Sequence, residues 1–319
     1  MTLEQLARKH HVFESVDKSD FQRKARILQS LWREEQKLPI GEHQGPNGKR
    51  LLGSRLMMPD AQRFLWNFPS EQTKIVVRAE VLDEIVSQGK LFGRPRLFND
   101  LLSSQPLCFN LFAELKADPM LKLATAVFRA ISGGRIETVT GIEFEYSPGR
   151  GDLVYSDDQS AFDVYVTFAT PSGGKGFVGI EVKYHENLIG EPARHRDRYD
   201  QIAKTMDCFR PEAEACLKSQ PLQQIWRDHL LAGSMRKVKG FEDGFFMLLY
   251  PAENLHCKTA IDAYRGCLTS EATFVSVTLE AFVDEIRRHT NDKWVERFAD
   301  RYLKFSKIEA LLGGEDPRK

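Results

Sequence analysis

The chain is short of most features that assign a protein to a class at sight. Its five cysteines, Cys108, Cys208, Cys216, Cys257 and Cys267, are odd in number and form no Cys-x-x-Cys pair. A zinc ribbon and a disulfide framework are thereby excluded, and small buried thiols are expected. No apolar run approaches the ~20 residues of a membrane-spanning helix. Met1-Thr2-Leu3-Glu4-Gln5 lacks the basic-then-apolar layout of a signal peptide, so no membrane partner and a cytoplasmic location are expected. Lysine plus arginine and aspartate plus glutamate each number 45, and a chain with no net charge does not gather polyanions through its overall field. No His-Glu-x-x-His, Gly-x-Ser-x-Gly or Gly-x-Gly-x-x-Gly occurs, and Gly173-Gly174-Lys175-Gly176 lacks the spacing and following helix of a phosphate loop. A metabolic α/β enzyme would need a cofactor loop, and none is visible. No internal repeat or low-complexity segment interrupts the chain.

What is present is enough for a full core: 319 residues, 42% hydrophobic and 28% charged. The informative region is 162–186. Phe162-Asp163-Val164-Tyr165-Val166-Thr167-Phe168 and Gly176-Phe177-Val178-Gly179-Ile180-Glu181-Val182-Lys183 are β-patterned runs joined by a turn-rich segment, Thr170 to Gly176. Side chains alternate faces along a strand. Val178, Ile180 and Val182 therefore share a core face with Phe162, Val164, Val166 and Phe168, while Glu181 and Lys183 share the other with Asp163. Glu-x-Lys also occurs at Glu35/Lys37 and Glu114/Lys116, but in helical segments, where positions i and i+2 do not face each other. Two carboxylates beside a lysine suit a divalent metal and a water held against a phosphodiester. A solvated acid–lysine pair on a hairpin is the plain alternative; the continuous aliphatic face argues instead for a central strand.

Along the chain, helices are expected over 3–37, 71–90 and 106–116, with a glycine-punctuated loop over 38–60. Asp118-Pro119 reads as cap and first-turn proline of a helix to about 131. Strands follow at 135–146, 161–169 and 176–184, then helices near 193–208, 212–218 and 221–233. Gly244 to Tyr250 is an unbroken apolar strand, 272–278 a further strand, and helices at 279–290 and 292–311 precede a tail, 313–319. The fold class is α/β: helix, three strands, helix, strand, around a mixed sheet, with added terminal helices. Residues 1–100 form a helical accessory region able to contact DNA, 101–255 the core, and 256–319 a C-terminal completion of it.

These segments resemble the PD-(D/E)XK nuclease superfamily, whose fold is restriction-endonuclease-like. The resemblance rests on Asp163…Glu181-x-Lys183, on the acidic Glu114 in the helix before the strands, and on the helix after them. Ser160-x-x-Asp163, Ile180 to Glu186 and Pro106 to Asn110 are similar to a bacterial branch of uncharacterised restriction endonucleases. Phe162 departs from the proline that the superfamily name places before the first acid. The resemblance implies a Mg²⁺- or Mn²⁺-dependent endodeoxyribonuclease. Asp163, Glu181 and the Val182 carbonyl would be metal ligands, Glu114 an additional one, and Lys183 the residue that orients water. It also leaves open a catalytically idle nuclease fold serving as a DNA-binding or complex-forming subunit. DNA is the expected partner, with RNA and a homodimer left open. Basic candidates are Arg23 to Arg26, Lys49-Arg50 with Arg55, Arg94 with Arg96, and Arg194 to Arg198. On a helix Arg194, Arg198 and Gln201 share one face; relatives place a glutamine on this helix at the active site, and His185 extends the Glu181–Lys183 face.

Overall fold

The computed structural model describes residues 1–45 and 48–313. Pro46 and Asn47 of the expected loop, and 314–319 of the expected tail, lie outside the described residues. The chain forms two compact units: Met1–Val86 with Phe92–Ala113 and Asn291–Lys319, and Ser87–Leu91 with Glu114–Thr290. Both are discontinuous in sequence, where continuous segments ending near 100 and 255 had been drawn. Among the described residues no helix is long and apolar enough to cross a membrane.

In the first unit, α1 (Leu3–Lys9) and α2 (Asp20–Glu35) each open on a reciprocal capping box, Thr2 with Gln5 and Ser19 with Gln22. The second cap splits the single helical stretch expected over 3–37. The expected loop at 38–60 is instead an antiparallel hairpin, β1 (Ile40–Gly45) and β2 (Gly48–Leu56). Its glycines had been read as punctuation, but a Cβ on Gly41 would lie 2.2 Å from the Leu56 carbonyl oxygen; glycine lets the strands close at an irregular register. α3 (Asp60–Arg63) and α4 (Glu71–Val77) follow, and a π turn at Arg78–Leu82 ends the helix expected to reach 90. The Asp83 carboxylate there accepts from the amides of Ile85 and Val86 at 2.9 and 3.0 Å, a local alternative to helical bonding. α5 (Arg96–Asn99) leads to α6 (Ser104–Ala117).

The second unit begins in the last turn of α6 and continues in α7 (Lys122–Ile131), which starts later than Asp118-Pro119 suggested. Asp118 still holds its first turn from outside, accepting from Lys122 N at 2.7 Å. A five-stranded sheet then takes the order β3 (Thr138–Tyr146), β4 (Phe162–Ala169), β5 (Lys175–Val182), β6 (Asp243–Tyr250), β7 (Phe274–Thr278). β3–β4 and β4–β5 are antiparallel, β5–β6 and β6–β7 parallel. The parallel pairs require crossovers. The first holds α8 (Asp197–Met206), α9 (Glu214–Leu217) and α10 (Gln223–Val238); the second holds α11 (Leu255–Gly266), which the sequence reading passed over. α12 (Leu279–His289) follows β7. Asn254 caps α11 by accepting from Cys257 N at 3.2 Å. In the first unit, α13 (Lys293–Tyr302) and α14 (Ser306–Gly313) divide the single helix expected over 292–311. There the buried Arg301 donates to the Asn67 carbonyl at 2.8 Å and lies 3.8 Å over the Trp32 ring.

The sheet is covered on both faces, as its parallel half demands. Val164, Val166, Val178, Ile180 and Val182 are fully buried on one. On the other, Tyr165, Phe177, Phe246 and Leu248 pack with residues of α8, α10 and α11. Phe162 breaks the expected alternation and joins this second cluster. Its ring covers Gly179, where a Cβ would lie 2.4 Å from it, so the glycine supplies the slot that the ring fills.

His229 of α10 is fully buried in the same cluster, its ring nitrogens 2.8 Å from the Tyr264 hydroxyl and 2.8 Å from Thr273 Oγ1. Burial lowers its pKa from 6.5 to about 3, so the folded chain keeps it neutral while the unfolded chain protonates it. Between those values the unfolded state binds more protons, and stability falls with pH by up to about 1.4 kcal/mol per unit. His229→Gln should be less stable than wild type at neutral pH, yet lose stability more slowly on acidification. Denaturant unfolding from about pH 7 to pH 4 measures this, and parallel profiles would show that His229 is charged in the folded protein.

Candidate active site

The β4–β5 ladder ends at Val164↔Ile180. Just beyond it, Asp163 Oδ2 accepts from Val182 N at 2.8 Å, so a side chain replaces the next ladder bond. Glu181 sits on the inner strand β5, paired in register with Leu248 of β6, and Lys183 N donates to the Leu249 carbonyl at 2.8 Å. Lys183 Nζ donates to Glu181 Oε1 at 2.6 Å, and Gln224 Nε2 of α10 donates to the same oxygen at 2.8 Å. The alternating pattern thus brings Asp163, Glu181 and Lys183 together, but not on an open face. Glu181 and Lys183 are only 8% and 7% exposed, because α10 lies over them.

Burial sets the electrostatics. The Asp163 carboxyl is pushed well above the usual carboxylate range, by desolvation and then by the Glu181 charge. Desolvation would lower the Lys183 pKa, but Glu181, Glu186 and Asp163 outweigh it and raise it. Glu186 is also desolvated, yet Lys183 and the Tyr184 amide, which donates to Glu186 Oε2 at 2.8 Å, hold its pKa below normal. Asn254 fixes this turn by donating to the Tyr184 and Glu186 carbonyls at 3.0 and 2.9 Å.

Three groups at the site escaped the sequence reading. Gln224 is one. Asp228, one helical turn further along α10, is another: it is buried, its Oδ2 accepts no hydrogen bond, and desolvation followed by the Glu181 charge raises its pKa well above normal. The third is Glu145, at a left-handed backbone position (φ 50°) between Phe144↔Val164 and Tyr146↔Phe162, hence opposite Asp163. Arg150 donates to its carboxylate at 2.8 Å. The Gln224/Asp228 spacing within an expected helix was a usable signal; Glu145 carried none that set it apart from other strand acids.

Gln201 is a correction. It is exposed on α8 and accepts from Arg198 Nη1 at 3.1 Å, whereas the glutamine on Glu181 comes from α10, the helix that crosses the acid pair. α8 begins at Asp197, so Arg194 precedes it and the helical face Arg194/Arg198/Gln201 does not form. Arg198 donates to the Tyr155 and Val154 carbonyls, both at 2.9 Å, and Arg196 pairs with Asp157 at 2.9 Å. Arg194, Arg198 and Gln201 nevertheless line one surface cavity of about 640 Å³, with His195, Arg196 and Leu153. His185 is half-buried, and its charge acts on Glu186. Glu114 is half-buried near the end of α6, where Lys116 donates to the Ile142 carbonyl at 2.6 Å. In the first unit, Arg26 is buried on Asp17 at 2.5 Å, and Arg23, Lys49, Arg50 and Arg55 pair with Asp20, Glu42, Glu14 and Asp100. Arg94 donates to the Val81 carbonyl.

A mixed five-stranded sheet flanked by helices, with an aspartate and a Glu-x-Lys on adjacent inner strands, is a restriction-endonuclease-like architecture. The family model of the PD-(D/E)XK nuclease superfamily matches residues 15–304, and the chain belongs to that superfamily. No curated protein and no solved structure matches it significantly.

Lys183 is the ammonium among these acids, so its loss should reach beyond chemistry. Removing one partner of a buried ion pair costs ~3–5 kcal/mol. Lys183→Met should lose stability of that order near pH 8 and less near pH 5, where the acids take up protons. Urea unfolding at both values tests this; an undiminished stability near pH 8 would show that the acids do not depend on Lys183.

Proposed function

We propose that the protein is a divalent-metal-dependent nuclease that hydrolyses phosphodiester bonds in DNA. The observation that carries this is the buried Asp163–Glu181–Lys183 cluster, in which acids outnumber the cation that faces them. Among the described residues no three His, Cys, Asp or Glu side chains form a ready cage for a metal. A Mg²⁺ ion does not need one, since it keeps several waters and takes one or two carboxylates. The donor set fits: hard carboxylate oxygens, one with its pKa raised by its neighbours, beside a buried Asp228 oxygen that accepts no hydrogen bond. Asp163, Glu181 and the Val182 carbonyl would hold Mg²⁺ or Mn²⁺, with Glu114 as an additional ligand. Bound there, the ion would acidify a water and offset charge on the scissile phosphate.

The chain's own groups supply the rest. Lys183 stays protonated against burial and would orient the attacking water and stabilise charge developing on the phosphate. Gln224 holds the Glu181 oxygen that Lys183 also uses, which fixes that carboxylate's rotation. The exposed Arg194 and the neighbouring Arg198 would meet backbone phosphates, contacts that position without reading sequence.

The test is cleavage of plasmid, linear and single-stranded DNA, and of RNA, in Mg²⁺, Mn²⁺ and EDTA. Wild type should cut DNA with either metal and not in EDTA. Asp163→Asn and Glu181→Gln should each reduce cleavage at least about a hundredfold and weaken metal binding by calorimetry. Wild-type cleavage by either folded variant would refute the site, and a metal-binding wild type that cuts nothing would identify an idle fold. Glu114→Gln should lower activity at limiting Mg²⁺ and recover as Mg²⁺ is raised. An unchanged Mg²⁺ titration would remove Glu114 from the ligand set.

A further inference from the structure

We propose that Asp228, from α10, is a carboxylate ligand of the divalent-cation site, approaching it from the helix side of the sheet. This rests on the metal-dependent reading above and names a residue that the Asp…Glu-x-Lys pattern does not contain. α10 carries Gln224 and Asp228 one turn apart, hence on the same face. Gln224 donates to Glu181 at 2.8 Å, so that face is turned toward the acids of β4 and β5. Asp228 is 5% exposed, and Glu181, Arg227 and Lys183 are the charged groups that act on it most strongly.

Its Oδ2 accepts no hydrogen bond. A buried carboxylate oxygen without a partner is costly, and such groups are paired or bind metal ions. The nearest cation in sequence, Arg227, is committed elsewhere: it donates to Asp158 Oδ2 at 2.8 Å from Nη2 and at 3.1 Å from Nε, and to Ser160 Oγ at 2.8 Å. Tyr199 donates to the same Asp158 oxygen at 2.7 Å. This network anchors α10 to the segment that enters β4. The side chain at 227 is thereby held on the Asp158 side, and the helix presents Asp228 beside Glu181.

The experiment measures Mn²⁺ binding to full-length wild type, Asp163→Asn, Asp228→Asn and Asp228→Ser, by calorimetry and by the shift in melting temperature on Mn²⁺ addition. Asp228→Asn nearly preserves shape, and the serine variant is a second removal of the carboxylate should the amide perturb folding. Both Asp228 variants should bind Mn²⁺ about tenfold or more weakly than wild type, with a smaller Mn²⁺-induced shift. The metal-free melting temperature of Asp228→Asn should equal or exceed that of wild type, because an uncompensated buried acid is gone. A merely structural aspartate would lower the metal-free melting temperature and leave Mn²⁺ affinity unchanged, which would overturn the proposal. If Asp163→Asn loses Mn²⁺ binding and both Asp228 variants keep it, this assignment fails and the nuclease reading stands. If wild type itself does not bind Mn²⁺, both fail together.

Discussion

A single ammonium, that of Lys183, has to stay charged in the interior beside Glu181, Asp163 and Glu186. Burying a charge is tolerable only when it is paired and hydrogen-bonded, and the 2.6 Å contact with Glu181 provides both. Much of the second unit serves this contact. β5 lies between β4 and β6, so Asp163 approaches from one side while the β6 backbone holds the amide of Lys183 from the other. α10 closes the site from above with Gln224. A second buried ion pair, Arg227 with Asp158, locks that helix to the segment before β4. The two pairs are not equivalent. Around Asp158, the arginine, the tyrosine and two serines satisfy the carboxylate, and its pKa is lowered despite burial. Around Asp163, acids are in excess and the pKa is raised. The first is an arrangement at rest; the second stores electrostatic tension that a cation would release.

Packing makes the tension tolerable by making the site stiff. The covered sheet excludes water from both faces, and aromatic rings fill space right up to the charged cluster. Phe162, immediately before Asp163, lies on Gly179, immediately before the Ile180-Glu181 pair, so the two acidic strands are keyed together next to the acids themselves. The left-handed Glu145 opposite Asp163 interrupts the β3–β4 ladder at the same level. A strained backbone position beside buried carboxylates concentrates irregularity where the chemistry would take place.

Charge on the surface follows a different rule. The chain is neutral overall, and many of its basic residues in the first unit are spent on acids of their own neighbourhood. Arg198 is spent on backbone carbonyls, which fix its position without cancelling its charge. The cavity bounded by Arg194, Arg196 and Arg198 therefore retains positive character close in sequence to the Glu181–Lys183 strand. Locally retained charge of this kind gives a neutral protein a means of meeting a polyanion that its net charge does not provide.

Local pattern was sufficient for part of this protein. Strict period two over 162–168 and 176–183 placed Asp163, Glu181 and Lys183 side by side before any coordinates, because strand alternation is a property of the backbone. The unbroken Gly244–Tyr250 run marked a buried strand for the same reason, and the order of strands and helices through the core followed. Local pattern was not sufficient where the deciding contact was distant. Glycine reads as a loop residue unless the strand it must approach is known, so β1 and β2 were hidden. Phe162 was expected to follow its strand's alternation until the slot at Gly179 was seen. Gln201 and Gln224 are equally polar residues on neighbouring helices, and only the crossing of α10 over β5 decides which one meets Glu181. Asp228 looks like any helix acid in one dimension; its significance is that nothing hydrogen-bonds its buried oxygen, a property of the surroundings. Strand geometry is encoded residue by residue, whereas burial, partner and charge balance belong to the packed whole, and those are what turned an acid–lysine pattern into an interior site.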